Sequence, residues 1–203
     1  VAKRNRVTPY GELEEHPFRG CLFMGNRGCL HDDAGRIVRH HVGRRWIVCV
    51  TSFKGRRRTL VQPGLWTELF FLDEATALAA GHRPCKECRR EDYQRFARAW
   101  ASAHGLALVR GDLPVATIDD ALSVERQHTS AWGAEVGGLP DGVVVEHEEH
   151  AALVRDSRLW TWHHDGYTGP ERTPTGRVRV LTPQSTVATI AAGYAPVLHP
   201  SAR

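Results

Sequence analysis

No stretch of the sequence approaches the roughly 18–20 consecutive apolar residues of a membrane-spanning helix, which excludes that class of membrane protein. Behind the basic start Lys3-Arg-Asn-Arg6 there is no apolar segment of the kind a secretory leader carries, so the expectation is a cytoplasmic protein. Walker loops, Gly-x-Gly-x-x-Gly, Gly-x-Ser-x-Gly and His-Glu-x-x-His are all missing, and with them the common nucleotide-binding and protease signatures. There is no internal repeat and no low-complexity linker. Cysteine is scarce and odd in number, five in 203 residues, all in the first half. That argues against a secreted disulfide framework and for metal binding or redox use.

What is present is a globular composition, 41% hydrophobic and 25% charged, enough to bury a core. The formal charge of +4 is unevenly placed. Basic residues gather in Lys3–Arg6, in Arg36–Arg45, in Lys54 with Arg56, Arg57 and Arg58, and in Lys86, Arg89 and Arg90. Glu146, Glu148 and Glu149 form an acidic cluster in the second half. Arg44, Arg45, Arg56, Arg57 and Arg58 are the candidates for contact with a polyanion, against the plainer reading of a solvated basic surface.

Pattern along the chain implies an α+β fold. Pro17–Gly35 reads as a glycine-rich loop. The β-branched runs Arg36–His41, Arg45–Phe53 and Arg57–Val61, punctuated by glycine, read as a three-stranded antiparallel meander. Thr67–Phe71 fits one more short strand. Asp73 is placed to cap a helix over Glu74–Ala80 that Gly81 stops. Glu91–His104 and Ile118–Trp132 read as further helices. Short strands over Gly142–Glu146, Ala151–Val154, Arg158–Trp162 and Gly176–Leu181 precede a helix over Thr186–Ala192. Residues 1–104 thus read as an antiparallel β-meander with helices, and 105–203 as a small mostly-β part, either a second domain or the completion of the first.

Pro84-Cys85-Lys86-Glu87-Cys88 is the strongest chemical signal. A Cys-x-x-Cys turn puts two thiolates on one metal, and neighbouring cations favour the thiolate form. Because the pair follows a helix, it does not fit a thioredoxin-like redox motif. Zinc takes four ligands, and Cys49 and His31 are the further candidates, with Cys21, Cys29 and His82 behind them. Glu125 and His128, at i and i+3 on a helix, are candidates for acid–base work. Asp32-Asp33 reads as a turn or a cation site. Trp160, Trp162, Tyr167 and Tyr194 read as core, or as a surface on which bases stack.

Phe70-Phe-Leu-Asp-Glu-Ala-Thr-Ala-Leu-Ala-Ala-Gly-His-Arg-Pro-Cys-Lys-Glu-Cys-Arg89 resembles the Ada-type metal-binding domain over about twenty residues. The resemblance implies that Cys85 and Cys88 bind zinc, with further ligands from upstream. Four residues after Cys49, where that family has a second cysteine, stands Phe53. The chain also resembles a bacterial family in which Met-Gly-Asn-Arg-Gly, Trp-Ile-x-Cys and Gly-His-Arg-Pro-Cys recur, as in Met24–Gly28 and Trp46–Cys49 here. These readings imply a protein with structural Zn2+ that binds or processes nucleic acid, DNA before RNA. The alternatives are a metal- or thiolate-based enzyme on a small anionic substrate, and a non-catalytic interaction module.

Overall fold

Asp73 marks the point where a strand gives way to a helix. Its carboxylate accepts from the Thr76 amide at 2.9 Å, closing the first turn of α1 (Glu74–Ala79) directly after β5 (Leu69–Phe71). Gly81, at φ +80°, follows the helix where a left-handed residue is wanted. All six residues of α1 are buried. Ala77 and Ala80 pack toward the first sheet, while Ala75 and Ala79 pack toward the second. The small side chains let this helix sit between two sheets.

The computed structural model describes residues 3–55, 59–127 and 132–203. Among them the first sheet consists of β1 (Arg4–Val7), β2 (Leu13–Glu15), β3 (Phe23–Asn26), β4 (Ile47–Val50), β5 and β6 (Arg83–Pro84). Its order is β2-β1-β5-β3-β4-β6. The pairs β1/β5 and β4/β6 are parallel; the others are antiparallel. The second sheet is antiparallel throughout, ordered β11-β10-β9-β8-β12-β7. Its strands are β7 (Trp132–Glu135), β8 (Val144–His147), β9 (His150–Arg155), β10 (Arg158–His163), β11 (Gly166–Glu171) and β12 (Arg177–Val180). Helices α2 (Arg90–Ala103), α3 (Val115–Gln127) and α4 (Gln184–Ala191) complete an α+β fold. No helix of the described residues is long and apolar enough to cross a membrane.

The meander expected over 36–61 is not what forms. Among the described residues only Ile47–Val50 is a strand there. In Arg36–His41, Ile37 makes a single bridge to His31, and Val38 is exposed. β-Branched content without an alternating buried face is not enough to make a strand. Of the third run, Thr59–Val61 is not a strand, and 56–58 lie outside the described residues. The partner of β4 is instead β3, inside the segment read as a loop. Gly25 is the reason for that misreading. It lies between Val48 and Leu69 in the middle of the sheet, and a Cβ there would stand 2.1 Å from the Ile47 carbonyl oxygen. The glycine serves close packing of backbones rather than a turn.

One core cluster joins Leu78 of α1 and Tyr93, Phe96 and Trp100 of α2 to Val145, Val154 and Leu159 of the second sheet and Ile190 of α4. Residues from before and after position 104 share it. Two buried ion pairs lock the helices to this frame. Arg83 of β6 makes a two-pronged contact with Asp119 of α3, at 2.9 and 3.0 Å. Arg89 reaches Glu74 at 2.8 Å, whose other contacts are the Tyr194 hydroxyl and the Val197 amide.

Candidate metal centre

Three cysteines meet where β4 and β6 run side by side. The Cys85 amide donates to the Val48 carbonyl at 2.9 Å, so Cys85 continues the parallel pairing and comes level with Cys49. Pro84, which has no amide proton to give, is tolerated because β6 is an edge strand. The chain then turns through Lys86 and Glu87, and the Arg89 amide bonds back to the Cys85 carbonyl at 3.1 Å. This turn returns Cys88 to the other two. The ligand atoms of Cys49, Cys85 and Cys88 all lie within 4.8 Å of one another. Zn–S bonds of about 2.3 Å in a tetrahedron place sulfurs about 3.8 Å apart, so closure onto one ion needs only small rotations.

The sulfurs are also electrostatically prepared. Donation from the Cys49 and Cys88 thiols, joined by the amides of Cys88 and Glu87, holds the Cys85 thiol far below its ordinary range. Cys49, the donor in that arrangement and buried as well, is pushed up. Hydrogen bonding among the three thiols favours a thiolate shared within the trio. A divalent cation replaces the remaining protons and neutralises most of the charge.

A cavity of about 270 Å³ opens on all three cysteines. Phe53, Leu60, Trp66 and Phe70 supply apolar wall, and Asn26 and Glu68 are among its polar groups. Glu68 is buried and accepts from the Val61 amide at 2.9 Å. The charged side chains lining the cavity are Glu68 and Glu87; among the described residues no lysine, arginine or histidine lines it. Phe53, four residues after Cys49, lines the same cavity as the three cysteines.

The structure does not bring His31 to the sulfurs. Its Nε2 donates to the Gln62 carbonyl at 3.0 Å, which leaves Nδ1 to accept from the Thr67 hydroxyl at 2.7 Å. Both ring nitrogens are spent on folding the loop that His31 opens. Cys21 and Cys29 also stand apart from the trio, and His82 is buried against Trp46 and Phe71. Glu125 accepts from the Ser185 amide with both oxygens at 3.3 Å, capping the start of α4 across sixty residues of sequence. Its expected partner His128 lies outside the described residues, as do Arg56, Arg57 and Arg58. Arg44 is exposed but paired with Asp120 at 2.7 Å; Arg45 is exposed. Asp32 accepts from the amides of Ala34 and Arg36 and so forms a turn. Trp160, Tyr167 and Tyr194 are buried core residues.

Sequence reasoning missed Trp66, Glu68 and Phe70 as neighbours of the centre. The signal was the short strand at 67–71, whose pairing with β3 carries it to β4. The fold and the three-cysteine cluster define an α+β protein with a candidate metal centre. Comparison with protein-family models, with curated proteins and with solved structures found no match.

Proposed function

We propose that the protein holds one zinc ion on Cys49, Cys85 and Cys88, and that the fourth coordination position faces the cavity and receives a substrate. One observation carries this reading: the three sulfurs that converge are the same three that line a cavity. Structural zinc sites close with four protein ligands, whereas reactive ones keep a position open. Zinc bound in this way supplies a Lewis-acidic site and thiolates that are nucleophilic at neutral pH.

The chain's own residues select what enters. Phe53, Phe70 and Trp66 exclude water from the sulfurs and favour an apolar group. Glu68 adds a buried carboxylate beside a centre that three thiolates and one Zn2+ leave at about −1. The substrate that fits is a small molecule with an apolar part, electrophilic or able to coordinate. The Ada-type resemblance supports a zinc–thiolate centre of this kind; Phe53 in place of a cysteine accounts for a site with three sulfurs.

A nucleic-acid partner is the second reading. It draws support from exposed Arg45 together with the basic run at 56–58. Steep loss of affinity for mixed-sequence DNA with added salt would favour it.

Cobalt substitution tests the primary reading. The visible spectrum of the Co2+ protein should be that of a tetrahedral site and should shift, saturably, on addition of imidazole. A spectrum indifferent to added ligand would show a closed site and overturn the proposal.

A further inference from the structure

A second cavity, of about 430 Å³, lies between the loops of the first sheet and the corner where β12 meets α4. Gly11, His40, Trp46, Arg126, Trp132 and Arg179 are among the residues lining it. Behind this wall lies Arg27, fully buried. Its Nη1 donates to the Gly11 carbonyl at 2.7 Å, its Nε donates to His82 Nε2 at 3.2 Å, and its plane lies 4.0 Å over the Trp46 ring. Nη2 has no partner. Because His82 accepts at Nε2, its proton sits on Nδ1, and that group is unpartnered too. The indole Nε1 of Trp46 is a third buried donor without an acceptor.

Charge accounting gives the same imbalance. Among the described residues no carboxylate pairs with Arg27; its charged neighbour is another cation, Arg126, whose guanidinium lies 4.3 Å from the same Trp46 ring. His40 adds a ring nitrogen 3.2 Å from Nη1. Glu125 lines the cavity too; it accepts from the Ser185 amide with both oxygens, and with Asp119 it offsets part of the charge of Arg126 rather than that of Arg27. A buried guanidinium without a counter-ion is costly, and buried donors without acceptors are rare. Among the described residues Arg27 has no counter-ion, and Arg27, His82 and Trp46 each keep a buried donor without an acceptor.

We propose that this cavity is a binding site for a small oxyanion, a phosphate or carboxylate group, seated against Trp46 and Arg126 with the Arg27 guanidinium in the layer behind them. Gly11 carries no side chain to cover Nη2; a Cβ there would stand 3.7 Å from it. Arg126, whose two terminal nitrogens donate to the Gly81 and Arg44 carbonyls, brings positive charge to the route in, while Arg179, which also lines it, is paired with Glu146. Burial and the nearness of Arg126 push Arg27 down to about 9, so the guanidinium remains charged at neutral pH. The apolar faces of Trp46 and Trp132 suit an organic body attached to the anionic group.

The test is thermal unfolding of the full chain at constant ionic strength, titrated with inorganic phosphate, with acetate and with chloride as the reference. Phosphate, or phosphate and acetate, should raise the midpoint saturably above chloride, because a ligand of the native state stabilises it by mass action. Saturation by phosphate alone assigns a phosphate ligand; saturation by both assigns oxyanions generally. Arg27→Met should remove the response and Arg126→Gln should shift its half-saturation at least tenfold, while Arg95→Gln, on the exposed face of α2, should leave it unchanged. If Arg27→Met does not fold, Arg126→Gln decides. A response no greater than with chloride overturns the proposal. So does one that survives both cavity substitutions, since it would then arise elsewhere, the metal centre included.

Discussion

Val48 and Pro84 stand opposite each other in parallel register, and that one rung sets Cys49 beside Cys85. The residues that follow each of them differ in kind. After Cys49 the chain runs on to Phe53, which joins the cavity wall; after Cys85 it turns tightly and delivers Cys88. Three sulfurs thus come from two adjacent strands and one turn.

Metal content should follow those three positions. Purified protein should hold about one zinc per chain, and Cys49→Ser, Cys85→Ser or Cys88→Ser should each lower zinc affinity at least tenfold. Cys21→Ser and Cys29→Ser should leave it unchanged. Elemental analysis after dialysis against a weak chelator distinguishes the outcomes. Full zinc retention in any of the first three variants would contradict the assignment.

Replacing Phe53 by cysteine should add a fourth sulfur at the cavity wall. The variant should bind zinc more tightly, by tenfold or more in competition with a chromophoric chelator, and its cobalt form should no longer respond to imidazole. Unchanged affinity together with an unchanged imidazole response would show that position 53 does not face the open corner.

The Arg83–Asp119 pair holds β6, and through it Cys85, against α3. Both side chains are 4% exposed. Removing one partner strands a buried charge, so Asp119→Ala should cost about 3–5 kcal/mol of stability by denaturant unfolding. Exposed Arg36→Ala, which breaks the pair with Asp32, should cost well under about 1 kcal/mol. Equal costs would contradict the distinction drawn from burial.

Acid should destabilise the protein partly through His82. Burial and the cations Arg27 and Arg126 keep its imidazole well below the ordinary range, so it stays neutral in the folded state. Once unfolded it takes up a proton near pH 6.5, and between the two values the unfolded chain binds more protons. Stability therefore rises with pH across that window and is lost on acidification below about 6.5, at up to about 1.4 kcal/mol per pH unit for one group. His82→Gln should flatten the profile between pH 7 and 5, measured with zinc in excess. A slope as steep as the parent's would rule His82 out as the source.

Local signals in the sequence were reliable where a single turn of chain decided the outcome. Asp73, Gly81, the periodicity of Tyr93, Phe96 and Trp100, and the short strands after 142 correspond to a helix cap, a helix stop, α2 and strands of the second sheet. What could not be read were relationships set by packing. Gly25 has the composition of a turn and the location of a sheet centre, and only the strands on either side of it reveal which applies. Cys85 and Cys88 announced themselves by spacing, and Cys49 by its place on a strand able to lie against them, although its apolar run also suits a buried core cysteine. His31 was a weaker candidate ligand, and Gln62 and Thr67 occupy both its nitrogens. Arg27 gave no local sign of its isolation, because a missing counter-ion is a property of everything around it.

The central claim is an ion held by three sulfurs with one position left open. X-ray absorption at the zinc edge of the purified protein addresses it directly. The account predicts about three sulfur neighbours near 2.3 Å and one nitrogen or oxygen neighbour near 2.0–2.1 Å. Four sulfurs, or no zinc bound at all, would contradict it.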